Sequence, residues 1–250
     1  MYGYRTGYSV PARPRTAFSP LLLPEVAEMW DPAHGLDLVT GNRVRAWTGR
    51  KTGRTVQQLA TQQQPVWSAT AMGGGPGIGF DGIDDMLAAA SSGWFASGSA
   101  PMEIWPILQQ DARAATDTSI RAAIVYGNGN FANDTRQRRN ASAGADRYQI
   151  TVGSGTTTNS PSYDSIDFVS RHVLRIRCEE SLTRYAIDAS PLAQTVITRN
   201  NPGTNLVFGG LVGGGQHWLG AMSYIVFVNG LLGDVAAAEM LKWALARRNL

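Results

Sequence analysis

Asp81, Asp84 and Asp85 fall within five residues and offer hard carboxylate oxygens of the kind calcium takes. The same residue types close a tight hairpin, because the side chains of Asp81-Gly82 and Asp84-Asp85 can accept hydrogen bonds from nearby backbone amides. The turn is the preferred reading, and calcium stands beside it as the alternative. Sugar recognition would use an aromatic platform with amide and carboxylate partners. Trp94, Trp105, Tyr163, His217 and Trp218 are the candidates, with Asn128 and Asn130 near in sequence. His34, His172 and His217 have no ligand-spaced partners, so metal-centre or triad chemistry has no support. His172 opens a strand, where capping or packing is its expected role.

These residues must be carried by strands. Met102, Ile104, Pro106 and Leu108 alternate with Glu103, Trp105, Ile107 and Gln109, and Tyr148, Ile150 and Val152 alternate with Arg147, Gln149 and Thr151. In His172 to Cys178 the pattern places Leu174, Ile176 and Cys178 inward and Arg175 and Arg177 outward. Cys178 is thus expected to be a buried structural thiol, and as the single cysteine it forms no internal disulfide. Glu179-Glu180-Ser181 turns the chain into a return strand whose Thr183, Tyr185 and Ile187 share a face, a hairpin. Val44 to Trp47, Asn205 to Phe208 and Trp218 to Val228 read as further strands. The last is apolar on both faces, as expected between a sheet and a helix. The glycines at 73, 74, 75 and 77 mark a bend, since no helix signal and no Lys-Ser/Thr follow them. One helix is expected at the end of the chain, with Asp234 as N-cap, a stripe of Ala238, Leu241 and Leu245, and Arg247-Arg248 complementing the C-terminal dipole.

Residues 1–24 have another character. Tyr2, Tyr4, Tyr8, Pro11, Pro14, Phe18, Pro20 and Pro24 show little periodicity and suit an extended polyproline-like arm. Such a terminus gains order by lying against something, and docking on a neighbouring subunit is expected. Residues 25–250 then form one globular domain: with 43% hydrophobic and 16% charged residues, the chain can fill a full all-β core. No apolar run approaches the roughly 20 residues of a membrane span. The opening Met1 to Arg5 carries one charge and no apolar stretch, so neither membrane insertion nor an export signal is expected. A net charge of +3 is mild. Arginine clusters around Arg43, Arg45 and Arg54 and around Arg136, Arg138 and Arg139 leave an electropositive face open, but without the interleaved aromatics of single-strand binders. Nucleic acid is not an expected partner.

In this order, Trp30-Asp31, Gln64-Pro65, Phe80-Asp81-Gly82 through Leu87, His172 through Asp188, Val207 to Gly210 and Trp218 through Leu232, followed by the helix, resemble the concanavalin A-like, laminin-G-type jelly rolls common in bacterial and phage surface proteins. The resemblance covers residues 25–250 and implies an all-β, antiparallel two-sheet jelly-roll sandwich with a C-terminal helix and an extended N-terminal arm. The arm and the Asp111 to Asn140 region depart from the pattern, and individuality is expected there. Such folds include glucanases, whose carboxylates come from one strand as Glu-x-Asp-x-x-Glu. No glutamate here has an aspartate two positions later, and Glu103 has Trp105 in that place. The expectation is a chain without enzymatic activity.

What the resemblance implies is a structural component of a phage-like virion, in a tail fibre, baseplate or head decoration. It would dock on other virion proteins through its arm, form a homo-oligomer, and need no cofactor beyond the calcium alternative. A module contacting host surface polysaccharide stands as a second reading, and a glycan-degrading enzyme as a third.

Overall fold

The computed structural model describes residues 18–91, 93–112, 121–127, 135–139, 147–153, 158–159, 162–164, 169–197, 199–200, 203–211 and 213–249; for 135–139, 147–149, 151–153, 158–159 and 162–164 the backbone alone is described. Tyr2, Tyr4, Tyr8, Pro11 and Pro14 of the expected arm lie outside these residues.

Two antiparallel ladders build the molecule. In the first, the long strand Leu219–Asn229 pairs along one edge with Met102–Gln110, which continues to His172–Cys178 and then Thr183–Ile187. Its other edge is shared, Gly77–Asp81 taking the first half and Val26–Trp30 the second. The second ladder runs Leu36–Val39, Arg43–Thr48, Thr55–Gln57, Leu87–Ala90, Asn205–Phe208, Arg121–Gly127, Thr135–Arg139, Arg147–Gly153. Val66–Ser68 pairs with Gly77–Asp81 and touches Arg43, which joins the two ladders.

Alternate side chains of both ladders meet in one core. Trp30, Ile104, Leu108, Leu174, Ile176, Met222 and Phe227 come from the first; Trp47, Val56, Leu87, Ile124, Tyr126, Leu206 and Phe208 come from the second. This is an all-β sandwich, held by apolar burial on two facing sheets. At its centre Trp30 meets Phe208 edge-to-face at 5.3 Å, and Phe95 stacks on Phe227 at 4.3 Å.

Leu219–Asn229 carries a bulge between Met222 and Ile225. The extra residue reverses the alternation, so Met222 and then Ile225 and Phe227 face the core while Ala221, Val226 and Val228 face outward. That outward face is covered by the helix Asp234–Arg248, with Trp105, Ile107 and Val173 beneath Met240, Trp243 and Ala244. Phe18, Leu21 and Leu23 pack against the same cluster, and Ser19 caps a short 3-10 turn at Pro20–Leu22. The last residues of the expected arm thus lie on the sandwich.

Three expectations change. Gly233 and not Asp234 occupies the N-cap, without a side-chain bond, and Asp234 is the first helical residue, where its charge faces the positive helix end. The buried helix face is Ala237, Met240, Trp243 and Ala244, with Leu241 and Leu245 at its border and Ala238 exposed. Turning inward the larger Met and Trp side chains removes more apolar area from water than burying Ala238. The region from Asp111 to Asn140 contains Arg121–Gly127, an interior strand buried from Ala122 to Gly127, so part of it belongs to the sheet.

Candidate functional site

A cleft of about 580 Å³ opens where Gly77–Asp81, the start of Leu219–Asn229 and the end of Met102–Gln110 lie side by side. Its apolar wall is Val66, Ala71, Phe80, Val169 and Ala221; its polar groups are Asp81, Asp85, Gln109, Gln110 and Asp111. Register creates it: Gly220 lies opposite Phe80 on one edge and Gln110 on the other. A Cβ on Gly220 would run into the backbone of Gln109 and Gln110, so only glycine lets the strands close here.

Asp81 and Asp85 tie the adjoining hairpin together. Asp81 Oδ1 accepts the Ile83 N–H at 2.8 Å and the Asp84 N–H at 3.3 Å, while Asp85 Oδ2 accepts the Asp81 N–H at 3.0 Å. Gly82 has φ +79°, and a Cβ there would lie 2.6 Å from Arg121 Nη1, which donates to the Gly82 and His217 carbonyls. The carboxyl of Asp85 is pushed up to about 7, first by burial and then by the charge of Asp81. It can therefore gain or lose a proton near neutrality, beside a second carboxylate.

The cleft leaves polar demand unmet. Asp85 Oδ1, Gln109 Oε1 and both amide atoms of Gln110 are shielded from solvent with no hydrogen-bond partner among the described residues. Gln109 Nε2 donates to the Val169 carbonyl at 2.8 Å. Each such orphan costs about 1–3 kcal/mol, a cost that a bound hydroxyl or water would relieve.

The three aspartates expected as turn or calcium residues are together, with one ligand oxygen from each within 4.8 Å of the others. Two of their six carboxylate oxygens already accept backbone N–H groups, which leaves four, short of the roughly six to eight oxygens calcium takes. The donor set fits a closed turn and not a finished calcium cage.

Among the described residues, the expected aromatic platform is not assembled. Trp218 is fully buried in the inter-sheet core and Trp105 is 2% exposed on the opposite side of the same sheet, under the helix. Both lie on strands or edges covered twice, so neither presents a ring face to a sugar. Trp94 is half-buried against Phe95, with Arg54 5.8 Å from its ring centre. His217 Nε2 accepts the Gly215 N–H at 2.9 Å and lies away from the cleft lining. Tyr163 stands opposite Tyr148 in register, and its side chain lies outside the described residues.

Gln109, Gln110 and Asp111 are cleft residues that no sequence motif singles out. Their signal is an amide-amide-carboxylate triplet that ends an otherwise apolar strand.

Glu103, which has Trp105 where the glucanase pattern needs an aspartate, is fully buried and saturated. It accepts from Trp105 Nε1 at 2.9 Å, Arg175 Nε at 3.1 Å, Arg177 Nη1 at 3.5 Å and the Leu232 N–H at 3.1 Å. Glu28 is equally buried and takes backbone N–H groups of Lys51, Thr52 and Arg54. Both are structural anchors. Cys178 is fully buried, and burial pushes its thiol up, as expected of a structural cysteine.

No protein-family model matches the chain, and no curated protein matches it. Solved structures share the fold. The enzymatically active domain of bacteriophage CBA120 tailspike protein 2 is 14% identical over 72% of this chain and 29% of its own, with a TM-score of 0.52. Trypanosoma rangeli sialidase in complex with sialic acid is 9% identical over 89% of this chain and 33% of the sialidase, TM-score 0.63. The binding domain of botulinum neurotoxin serotype D is 7% identical over 88% of this chain and 52% of its own, TM-score 0.62. The chain therefore spans about half or less of each of these proteins. The expectation of a chain without catalysis is overturned: structures of this fold include a tailspike domain described as enzymatically active and a sialidase. A missing Glu-x-Asp-x-x-Glu motif excludes one arrangement of carboxylates, whereas strand pairing brings Asp111 to the same cleft as the Asp81 to Asp85 hairpin.

Proposed function

We propose that this chain is a polysaccharide-binding β-sandwich of a phage-like particle, a jelly roll of the concanavalin A-like, laminin-G type that holds glycan in the cleft around Asp85, Gln109 and Gln110. The unmet hydrogen-bond demand of those three side chains carries the reading. Turned outward from their shielded positions, a carboxyl and two amides would offer donors and acceptors to sugar hydroxyls, and the apolar wall suits the faces of sugar rings. The tailspike and toxin-binding neighbours support the setting. Residues Tyr2 to Pro14 would anchor the module to other virion proteins, in a homo-oligomer, whereas Phe18 of the expected arm packs on the sandwich itself.

Calorimetric titration with a panel of bacterial surface polysaccharides tests this. Saturable binding that falls about tenfold, one hydrogen bond's worth, in Gln109→Ala supports the cleft. Binding unaffected by substitutions at all three positions removes it.

Cleavage of the bound glycan in the same cleft is a second reading, favoured by the Asp85 carboxyl that titrates near neutrality beside Asp81. Reducing-end release that Asp85→Asn abolishes while binding persists would establish it; bound glycan that stays intact would leave recognition alone.

A further inference from the structure

Next to the cleft lies a second cavity of about 450 Å³, which shares Gln109 with it. Its lining differs in charge: the cleft presents Asp81, Asp85 and Asp111, whereas the cavity presents Arg171 and Arg248, with the His172 imidazole beside them.

The cavity's cations are held in place from below. Asp188 accepts His172 Nδ1 at 2.8 Å, the Val173 N–H at 2.9 Å and Arg248 Nη1 at 2.8 Å. Burial alone would push the Asp188 carboxyl up, but these hydrogen bonds and the neighbouring charges hold it below the ordinary carboxylate range. Asp188 is thus an anion at the base of the site, and it offsets one positive charge. Arg171 is a different case. Its Nη1 is shielded from solvent and has no hydrogen-bond partner among the described residues, and no carboxylate among them pairs with it.

We infer that the cleft and the cavity form one trough for an acidic polysaccharide, with sugar hydroxyls on Asp85, Gln109 and Gln110 and a ring carboxylate on Arg171 and Arg248. Within the cavity half, two guanidiniums face one internal carboxylate, that of Asp188, and a planar carboxylate matches the guanidinium fork. Gln109 joins the two halves: its amide nitrogen is committed to Val169 and its oxygen faces unmet demand at the junction. A uronic or sialic acid residue within the polymer has this chemistry, hydroxyls along the chain and one carboxylate per unit. The inference rests on the cleft being a glycan site.

The experiment compares calorimetric binding of neutral polysaccharides, polysaccharides bearing uronate or sialate, and the same acidic polymers after their carboxylates have been reduced to alcohols. Acidic polymers are expected to bind best, to weaken about tenfold on carboxyl reduction or in Arg171→Ala, the worth of a charge-assisted hydrogen bond, and to regain part of that in Arg171→Lys. Raising the salt concentration should weaken the acidic polymers and leave the neutral ones unchanged. Equal binding of native and reduced polymers, or a preference untouched by Arg171→Ala, overturns the inference while the cleft reading stands. If no polysaccharide of any class binds, both fall. Because the reduction is made on the polymer, the outcome does not depend on how a variant folds.

Discussion

Glu103 and Asp85 are both buried carboxyl groups on the first ladder and its hairpin, yet their surroundings differ in kind. Glu103 is met by an indole, two arginines and a backbone amide, and it ties the chain just before the helix to the sheet. Asp85 receives one backbone amide on one oxygen and nothing on the other among the described residues. A buried charge fully supplied with donors is a structural device, whereas one left short keeps capacity for a proton or a ligand. The same contrast separates the helix-covered side of the sandwich, where Trp105 and Arg175 stack at 4.6 Å, from the open cleft.

The sharpest way to break this contrast is Glu103→Ala. It strands Arg175 and Arg177 and should cost about 3–5 kcal/mol of stability, read as a shift of the urea midpoint at constant slope. A loss below about 1 kcal/mol would mean that the arginines are satisfied elsewhere.

Asp85→Asn comes next. The Asp85 carboxyl sits above its ordinary value in the folded chain, so its favourable contribution is complete in acid and is lost as the pH rises through about 7. The wild-type chain should therefore weaken between about pH 4 and about pH 7 by on the order of 3 kcal/mol relative to the variant, solvent screening included. Parallel stability curves for the two proteins would contradict the assignment.

Gln110→Leu should do the reverse of Glu103→Ala. Removing two unmet polar atoms leaves stability unchanged or raised by about 1 kcal/mol, while glycan affinity drops. A clear loss of stability would show that Gln110 is satisfied in the free protein.

The smallest effect is expected from calcium. A site saturated a hundredfold over its dissociation constant would add about 2.7 kcal/mol, and thermal unfolding with and without a chelator should show no such gain. A gain of that size would restore the calcium reading of Asp81, Asp84 and Asp85.

The strands carrying Ile104, Leu174 and Ile176 could be read directly because a period of two assigns each side chain to a face. Trp47 and the Thr183–Ile187 return strand were legible for the same reason. Arg121–Gly127 was not. Its Ala-Ala-Ile-Val-Tyr run has no alternation, and its place in the sheet depends on Asn205–Phe208 and Thr135–Arg139 flanking it. The aromatic candidates failed on a related point: periodicity says that Trp105 and Trp218 face a given side, and not that a helix or a second sheet covers that side.

By itself the sequence determined the alternating strands, the closing helix and the Asp81 to Asp85 turn, which follow from local alternation and short-range hydrogen bonding, while the two-sheet sandwich was implied by the family resemblance. The cleft was decided only by tertiary structure. Phe80, Gly220 and Gln110 are far apart in the chain and become neighbours through strand register, and Asp85 acquires its unusual acidity from burial that no local pattern encodes. Local rules fix conformation, whereas proximity and desolvation are properties of the assembled fold.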